Sequence, residues 1–341
     1  MTLSSFARPS PAYSRLPSLV TEASRLRAFV PPFRFTSFFS PEDTLLCICA
    51  SEAALSRARS PKTGGGTPAA SLRIAELTSG SGLVGLHLLR IETGSALLGL
   101  DIDANAAAVA SQNAEMLGLS GRAHFACADI WSPETTDLLA GWQPRLLVCN
   151  PPYVPEPPGN TLEVEAGSGP DGTAHLRRTL EIAGRLRPRA IALSWCSLSH
   201  PQIVLRAAAA AGYQLNSLFV TVISDGEYSG SVHDYLRSLP HAFINEQNET
   251  LSAVAPDKSA RFAYLLMAGE FSRKERENPS DDEIANVVEG VCERFAKRGI
   301  ETLVNQRCPI PVRTWLLDRW DELRLRAILH GAIDRMAAAS A

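Results

Sequence analysis

Short apolar runs alternate with stretches of helical spacing from residue 71 onward. The apolar runs predict seven strands, at 72–77, 96–101, 123–128, 146–150, 190–195, 214–223 and 261–267. The stretches of helical spacing predict helices at 83–89, 104–117, 172–187 and 201–211. Strands that are apolar throughout are buried on both faces of a sheet. The alternation therefore predicts an α/β fold with a doubly wound, mostly parallel, seven-stranded sheet.

The N-terminal segment has a different pattern. Residues 1–37 are rich in Pro, Ser and Arg, which predicts a partly ordered arm. An organellar targeting segment and a weak RNA- or partner-binding arm are the alternatives. Pro41 and the two acids after it predict a helix over about 42–57, because proline suits the first turn and acids favour the positive end of the helix dipole.

The C-terminal segment predicts further helices. Ser280 and Glu283 form a capping box for an amphipathic helix over 280–299, and a second helix is expected from Pro311. These helices are expected to pack on the core or on a second subunit. The polar stretch 225–259 before the last strand predicts a lid or a long loop. We therefore expect three parts, an arm (1–37), an α/β domain (38–269) and a helical C-terminal extension (270–341).

Composition adds few constraints. The chain has 341 residues, 45% of them hydrophobic and 20% charged, and these values are typical of a globular protein with a large core. Its net charge of −3 does not favour a nucleic-acid-binding surface spread over the whole molecule, and no apolar run approaches the ~20 residues of a membrane span. The seven cysteines include no CxxC pair, so we expect reduced cysteines, no metal site and a cytoplasmic location.

Polar residues fall at four predicted strand ends. Glu76, Asp101, Asp129 and Asn150 each end a predicted strand or directly follow it. Ligands of doubly wound sheets bind beyond the carboxyl ends of the strands, so we expect these side chains at one site. A glycine-rich turn, Gly80-Ser81-Gly82-Leu83-Val84-Gly85, follows the first strand and has the spacing of a dinucleotide-binding loop.

The acid before the glycine-rich turn distinguishes two cofactors. A carboxylate at Glu76 would repel a pyrophosphate, so a nicotinamide dinucleotide is the less favoured alternative. S-adenosylmethionine has no phosphate and carries an ammonium and a sulfonium. Asp101 would then bind the ribose hydroxyls and Asp129 the adenine amino group. A purely structural role for these acids, as helix caps, is the alternative, and Asp103 is the better N-cap candidate.

The segment Asn150-Pro151-Pro152-Tyr153 is the candidate for the chemistry. Its two prolines have fixed φ and no N–H, so a strand ends here on a rigid platform. The Asn150 amide oxygen and the backbone carbonyls accept hydrogen bonds, which suits a neutral –NH₂ group, and the Tyr153 ring could stack on a flat substrate or position it. A proline-rich strand exit with a surface tyrosine is the structural alternative.

Together these residues resemble the class I S-adenosylmethionine-dependent methyltransferases, which have a Rossmann-like fold. Within that class the chain is most similar to the HemK/PrmC protein-glutamine methyltransferases, through Asn-Pro-Pro-Tyr and the later Gly169-Pro170-Asp171-Gly172, over roughly Phe38 to Met267. The resemblance implies that Thr44 faces the cofactor. The candidate cofactor-binding residues are Thr44, Glu76, Thr78, Gly80, Gly82, Asp101, Ile102, Asp129, Ile130 and Asn150, and the candidate substrate-binding residues are Asn150, Pro151, Pro152 and Tyr153.

One residue departs from the family pattern. Thr78 stands at the first turn position, where the family usually has glycine. Threonine resists positive φ, so we expect either a β- or α-like turn at Thr78 or altered cofactor binding. A non-catalytic partner subunit that retains the fold is therefore one alternative function.

The expected reaction is methyl transfer from a sulfonium to a planar nitrogen. Asn150 Oδ1 and the Pro151 carbonyl would accept the two N–H groups and turn the nitrogen lone pair toward the methyl carbon. Asn150, Pro151 and Tyr153 are thus the candidate catalytic residues. The resemblance implies a protein glutamine, of the release-factor type, as acceptor. A small molecule or adenine in DNA or RNA is the alternative, and the C-terminal helices are a candidate site for oligomer formation.

Overall fold

The computed structural model describes residues 40–59, 71–159, 162–255, 260–274, 281–303 and 308–316. The expectations for the arm 1–37, for the Ser280 cap and for the chain beyond residue 316 lie outside the described residues. Within the described part, one mixed sheet contains eight strands in the order β3-β2-β1-β4-β5-β7-β6-β8. The strands are β1 (Leu72–Leu77), β2 (Ser95–Asp101), β3 (Ala123–Cys127), β4 (Leu146–Cys149), β5 (Ala190–Cys196), β6 (Tyr213–Ser224), β7 (Ala263–Arg273) and β8 (Val312–Leu316).

The doubly wound α/β fold is confirmed, and the count of seven strands was wrong. Strands β1 to β5 run parallel, β7 runs antiparallel to both of its neighbours, and β8 runs parallel to β6. β8 occupies the position of the helix that we expected from Pro311. Valine and threonine at 312 and 314 favour a strand, and the free edge of β6 supplies the partner, beginning where Leu218 N donates to Pro311 O at 3.0 Å. Tertiary pairing therefore overrides the helical spacing.

Six of the ten α-helices in the described residues were predicted from the sequence pattern. The ten are α1 (Pro41–Arg59), α2 (Leu83–Ile91), α3 (Ala104–Met116), α4 (Pro133–Trp142), α5 (Ala174–Leu186), α6 (Pro201–Ala210), α7 (Glu227–Ser231), α8 (His233–Ser238), α9 (Asn248–Val254) and α10 (Asp281–Arg298). Helix α4 is additional to the predicted set. The described part of the polar stretch 225–259 contains the three short helices α7, α8 and α9 rather than one unstructured loop.

The core lies on both faces of the sheet. All four residues of β4 and all seven of β5 are buried, which explains their uninterrupted apolar sequence. Helix α1 packs on β5 and β7, and α10 packs on α6. Ile284, Val288 and Phe295 of α10 are buried, so this part of the C-terminal extension packs on the core. Among the described residues no helix is long and apolar enough to cross a membrane.

The strand order determines where the predicted site residues meet. β3, β2, β1 and β4 are adjacent and parallel, so their carboxyl ends lie side by side on one edge. The register pairs Leu77 at the end of β1 with Leu100 of β2 and with Cys149 of β4. The four polar residues at the strand ends therefore lie along one short stretch of that edge.

Candidate functional site at the carboxyl ends of β1 to β4

The glycine-rich turn opens a space above the end of β1. Gly80 and Gly82 have φ of 50° and 76°, a region that glycine adopts without a Cβ clash. The turn is closed by Gly82 N, which donates to Ser79 O at 2.8 Å, and Gly82 caps α2. A Cβ built on Gly80 would meet no atom within 4 Å, whereas one on Gly82 would lie 2.7 Å from the Phe125 ring. The turn is thus packed on its inner side and open over Gly80.

Glu76 is a buried carboxyl group behind this turn. Only 3% of the residue is exposed, and Gly85 N donates to its Oε2 at 3.1 Å. A Cβ on Gly85 would collide with the same carboxyl oxygen, so the third glycine of the motif makes room for the acid. Burial raises the pKa of Glu76 to about 8, the Gly85 N–H acts in the opposite direction, and the nearby Asp101 raises it further. Glu76 is therefore suited to pairing with a cationic ligand group.

Asp101 ends β2 and connects it to the glycine-rich turn. Its Oδ2 accepts from Gly80 N at 2.7 Å and its Oδ1 from Asp103 N at 3.0 Å. Burial raises the pKa of Asp101, while these backbone N–H groups lower it. Asp103 caps α3 by accepting from Asn105 N at 2.8 Å, as the sequence predicted. The next side chain, Ile102, is 53% exposed, an unusual state for isoleucine beside a polar edge.

Asp129 lies two residues beyond β3 and shapes the neighbouring loop. Its Oδ1 accepts from Trp131 N at 2.9 Å, and its backbone carbonyl accepts from Thr135 Oγ1 at 2.6 Å. Ile130 is only 5% exposed, whereas Trp131 is 49% exposed. Sequence reasoning missed Trp131, although an aromatic residue two positions past a strand-end acid is a signal that could have identified it.

The Asn-Pro-Pro-Tyr segment leaves β4 at the same edge. Asn150 Oδ1 is buried and has no hydrogen-bond partner among the described residues. Pro151, which follows it, is buried. A buried amide oxygen without a partner is costly in a folded protein, so such an atom marks a place where a donor is expected. The atom predicted to accept from the substrate is therefore unsatisfied within this fold.

Tyr153 is held at both ends of the residue. Its hydroxyl donates to Asp43 Oδ1 at 2.5 Å, and its carbonyl accepts from Ser199 Oγ at 3.0 Å. The residue is 8% exposed, so the ring offers little surface for stacking on a substrate, and the contacts favour a positioning role. Burial raises the pKa of Asp43 to about 6, and the Tyr153 hydroxyl moderates that rise.

Asp43, which the sequence analysis did not single out, links α1 to the Asn-Pro-Pro-Tyr segment through the Tyr153 hydroxyl. The residue expected to face the site from this helix was its neighbour Thr44. Thr44 is half-buried, and its hydroxyl donates to the carbonyl of Ser40 at 2.8 Å, directly before its own helix. Thr44 thus lies next to the Asp43–Tyr153 hydrogen bond, but its own hydroxyl hydrogen bond goes to Ser40 and not to the Asn-Pro-Pro-Tyr segment. An acid one residue before the expected cofactor-facing threonine was the available signal.

Thr78 corrects one expectation of the sequence. Its φ is 52°, in the left-handed region, so the first of the two alternatives, a β- or α-like turn, is wrong, and the second, altered cofactor binding, stays a prediction. A β-branched residue at positive φ is a genuine outlier in protein structures. The Thr78 hydroxyl lies 2.6 Å from Leu77 O and 3.1 Å from Asn150 O, so the strained residue connects the ends of β1 and β4.

The chain after Tyr153 folds back on the motif. Val154 N donates to Ala166 O at 2.9 Å, and Glu156 Oε2 accepts from Leu162 N at 2.8 Å. Gly172 has φ of 69°, and a Cβ there would lie 2.5 Å from Tyr153 O. The Gly-Pro-Asp-Gly turn therefore packs directly on the backbone of the Asn-Pro-Pro-Tyr segment. The described residues contain no group of three or more His, Cys, Asp and Glu that could hold a metal ion.

Comparison with known proteins gives similarity over part of the chain. No protein-family profile matches it. The chain is 35% identical over 130 residues to the release factor glutamine methyltransferase of Moorella thermoacetica, which is 36% of this chain and 44% of that protein. It is 41% identical over 93 residues to the corresponding enzyme of Rhodospirillum rubrum, 27% of each chain. It is also 35% identical over 124 residues to the tRNA1(Val) (adenine(37)-N6)-methyltransferase of an Enterobacter species, 36% of this chain and 46% of that protein.

These matches have limited extent. The chain spans less than half the length of each of these curated relatives. Among solved structures, TrmN from Thermus thermophilus is similar with a TM-score of 0.38 and 16% identity, over 68% of this chain and 49% of that one.

Proposed function

We propose that the chain is an S-adenosylmethionine-dependent N-methyltransferase that acts on the side-chain amide of a protein glutamine. The observation that carries the proposal is Asn150 Oδ1, a buried acceptor without a partner among the described residues, at the edge where Glu76 and Asp101 also lie. The similarity to release factor glutamine methyltransferases supports the same acceptor.

The proposed cofactor fits the acids and the open turn. The methionine part would lie over Gly80, where nothing lies within 4 Å of a Cβ position, with its ammonium near Glu76. Each Asp101 oxygen already accepts one backbone N–H and has room for a second donor, as ribose hydroxyls require. Exposed Ile102 and Trp131 would supply apolar surface for the adenine, and Asp129 would accept from its amino group. A pyrophosphate, in contrast, brings no cation to pair with the Glu76 carboxyl group, and its negative charge would disfavour the ionised form of that group.

The proposed chemistry needs orientation more than a strong base. An amide nitrogen has a delocalised lone pair, so it becomes nucleophilic only when its geometry is held. Asn150 Oδ1 and the Pro151 carbonyl accept its two N–H bonds and turn the lone pair to the methyl carbon. The N–C bond forms as the C–S bond breaks, the sulfonium becomes a neutral thioether, and the nitrogen then loses a proton to solvent. Alignment of this kind contributes ~7–11 kcal/mol in favourable systems.

A second acceptor is adenine in RNA. The observation that favours it is the similarity to a tRNA adenine methyltransferase at 35% identity. The adenine amino group is also a planar –NH₂, so Asn150 and Pro151 could hold it in the same way. The net charge of −3 favours the protein acceptor, because RNA-binding surfaces are usually rich in Lys and Arg. A non-catalytic partner subunit is the least supported alternative, since it gives no role to the unsatisfied Asn150 oxygen.

Further parts of the proposal have separate support. All seven cysteines are free, and Cys47, Cys149, Cys196 and Cys292 are buried, which fits the reducing cytoplasm. The division at residues 37 and 269 stays a prediction, although β7 runs on to Arg273 and β8 joins the same sheet. Oligomer formation through the C-terminal segment also stays a prediction.

The test compares Asn150→Ala with wild type. We expect turnover to fall about 10²–10³-fold, because a preorganised acceptor is lost. Binding of S-adenosylmethionine should stay within about threefold, since Asn150 is assigned mainly to the acceptor. Turnover is measured with radiolabelled cofactor on a glutamine-containing protein substrate and on unmodified tRNA, with mass spectrometry to locate the methyl group.

Asn248→Ala is the matched control, because Asn248 is an exposed residue at the start of α9. It should leave both measurements unchanged. Methylation of tRNA alone would replace glutamine by adenine as the acceptor. Unchanged turnover in Asn150→Ala would contradict the mechanism for either acceptor.

A further inference from the structure

We infer that Thr78 is a positioning residue that holds the Asn150 peptide in place through its hydroxyl group, and is not a cofactor ligand. The inference rests on the proposed function for its catalytic consequence. Its structural content, a hydrogen bond across the ends of β1 and β4, can be tested in the protein without any ligand.

The backbone of Thr78 gives the first reason. Its φ of 52° lies in a region where a β-branched side chain is strained, and glycine would adopt it freely. Strained residues persist where surrounding contacts determine their conformation, and they cluster at functional sites. Three residues of the turn have positive φ, Thr78, Gly80 and Gly82, and Thr78 is the one among them that has a side chain.

The contacts of the Thr78 hydroxyl give the second reason. Its Oγ1 lies 2.6 Å from Leu77 O, 3.1 Å from Asn150 O and 3.5 Å from Cys149 Sγ. Leu77 ends β1, whereas Cys149 and Asn150 belong to the end of β4, so one side chain spans two strand ends. A hydroxyl has a single proton, which is shared between the two carbonyl oxygens. Glycine at this position could make none of these contacts.

A chain of polar groups extends this contact away from the site. Cys149 Sγ also lies 3.4 Å from Thr179 Oγ1 of α5. Burial raises the pKa of the Cys149 thiol to about 11, so the sulfur remains a neutral thiol that can donate a weak hydrogen bond. The Thr78 hydroxyl is therefore in contact with the buried Cys149 side chain, which in turn contacts Thr179.

The contacts of the Thr78 hydroxyl favour a positioning role over a cofactor contact. Its hydrogen-bonding contacts are Leu77 O at the end of β1, Asn150 O directly after β4, and the Cys149 sulfur. The open space in the turn lies instead over Gly80. Fixing the Asn150 carbonyl fixes the Asn150–Pro151 peptide plane, which joins the two residues that carry the proposed acceptors, the Asn150 side-chain amide and the Pro151 carbonyl. Loss of the hydroxyl should thus act on turnover, not on cofactor affinity.

The experiment compares Thr78→Ser with Thr78→Ala. Both variants keep a Cβ at positive φ and lose the threonine methyl, so they differ only in the hydroxyl. The first measurement is ¹³C′ relaxation of the Asn150 backbone carbonyl in the ligand-free protein, because Pro151 gives this peptide no N–H group. We expect an order parameter near ~0.85 in wild type and Thr78→Ser, and a clearly lower value in Thr78→Ala. The second measurement is kcat for the acceptor, which we expect to be about tenfold lower in Thr78→Ala and mostly retained in Thr78→Ser.

Two further results complete the test. Thr78→Gly removes strain and hydroxyl together, so it should unfold no more readily than wild type and still lose about tenfold in kcat, with the cofactor Kd within about twofold. An Asn150 carbonyl that is equally ordered in Thr78→Ala and Thr78→Ser overturns the inference. So does a Thr78→Ala variant that loses cofactor affinity at full kcat. If wild type methylates no acceptor, the proposed function fails, while the relaxation comparison still decides whether Thr78 holds Asn150.

Discussion

Glu76 is a carboxyl group in a place where negative charge is unfavourable until a cation is bound. It is buried, it receives one backbone N–H from Gly85 at 3.1 Å, and Asp101 is close enough to oppose its ionisation. Its pKa is accordingly raised to about 8. At neutral pH the ligand-free protein therefore holds a proton on Glu76, and an ammonium group that binds beside it must displace that proton.

This proton displacement is measurable. We expect S-adenosylmethionine binding at pH 7 to release close to one proton from the protein. Calorimetric titration in two buffers with different ionisation enthalpies reads that proton directly, because the apparent enthalpy then differs between the buffers. Affinity should rise with pH up to about 8, at most about tenfold per pH unit. Glu76→Gln is the control that should bind more weakly and release no proton. Equal apparent enthalpies for wild type in both buffers would rule out the coupling.

The site residues that the sequence predicted are marked by their immediate sequence neighbours, whereas those that it missed are defined by contacts with residues far away in the chain. Glu76, Asp101 and Asn150 each lie at a strand end or one residue from it, and a polar residue at the end of an apolar run is visible in the chain itself. Asp43 binds Tyr153, which lies 110 positions further along the chain, and no local pattern encodes that partner. The left-handed conformation of Thr78 also has no local signal, because threonine by itself resists positive φ and the hydroxyl contacts Asn150, 72 positions further along the chain.

At the scale of elements, α1 completes the site from outside the β1–β4 edge. It packs on β5 and β7, and its first turn brings Asp43 to the Tyr153 hydroxyl. The link joins a helix that precedes the sheet to the segment that leaves β4. The position of the Asn-Pro-Pro-Tyr segment thus depends on helix α1, although α1 contributes none of the groups that we propose to bind the substrate nitrogen.

Tyr153→Phe should weaken both folding and turnover. The variant removes the donor of the 2.5 Å hydrogen bond and leaves the buried Asp43 carboxyl with fewer partners. We expect the free energy of unfolding to fall by about 1–3 kcal/mol, measured by urea denaturation, and kcat to fall while cofactor affinity is kept. Tyr235→Phe is the matched control, because its hydroxyl donates to Pro170 O at 2.9 Å in an exposed position and should matter little. A Tyr153→Phe variant as stable as this control would contradict the role of the link.

The elements themselves were predictable to different degrees. β4, β5 and most of β7 have apolar sequences that are explained by burial on both faces, whereas β3, at the edge of the sheet, is mostly half-buried or exposed. Helix α4, which follows β3, was not predicted. β8 was not predictable in this way, since Val312–Leu316 is an edge strand whose conformation is determined by pairing with β6. The spacing of its large apolar residues suits a helix, and the free edge of the sheet determined the outcome.

At the scale of the whole molecule, two buried acids make stability depend on pH. The pKa of Asp43 is raised to about 6 and that of Glu76 to about 8, in both cases chiefly by burial. An unfolded chain releases these protons near pH ~4, so between pH ~4 and ~8 the folded state binds more protons than the unfolded state. The contribution of these two groups to the free energy of unfolding is therefore fully present at low pH. It is lost as the pH rises through the pKa values that the groups have in the folded state.

The ligand-free protein should consequently be less stable at pH 8 than at pH 5.5, by about 2–4 kcal/mol from these two groups. Urea denaturation at both pH values measures the difference. Glu76→Gln should remove most of the dependence, since a neutral amide has no proton to lose, and it separates this effect from that of the surface carboxylates. Saturating S-adenosylmethionine should reverse the trend in wild type, because the ammonium stabilises the ionised carboxyl group that is otherwise unfavourable at pH 8. The opposite result would be a gain in stability from pH 5.5 to pH 8 without ligand, both in wild type and in Glu76→Gln. That result would show that Glu76 is already ionised in the folded protein.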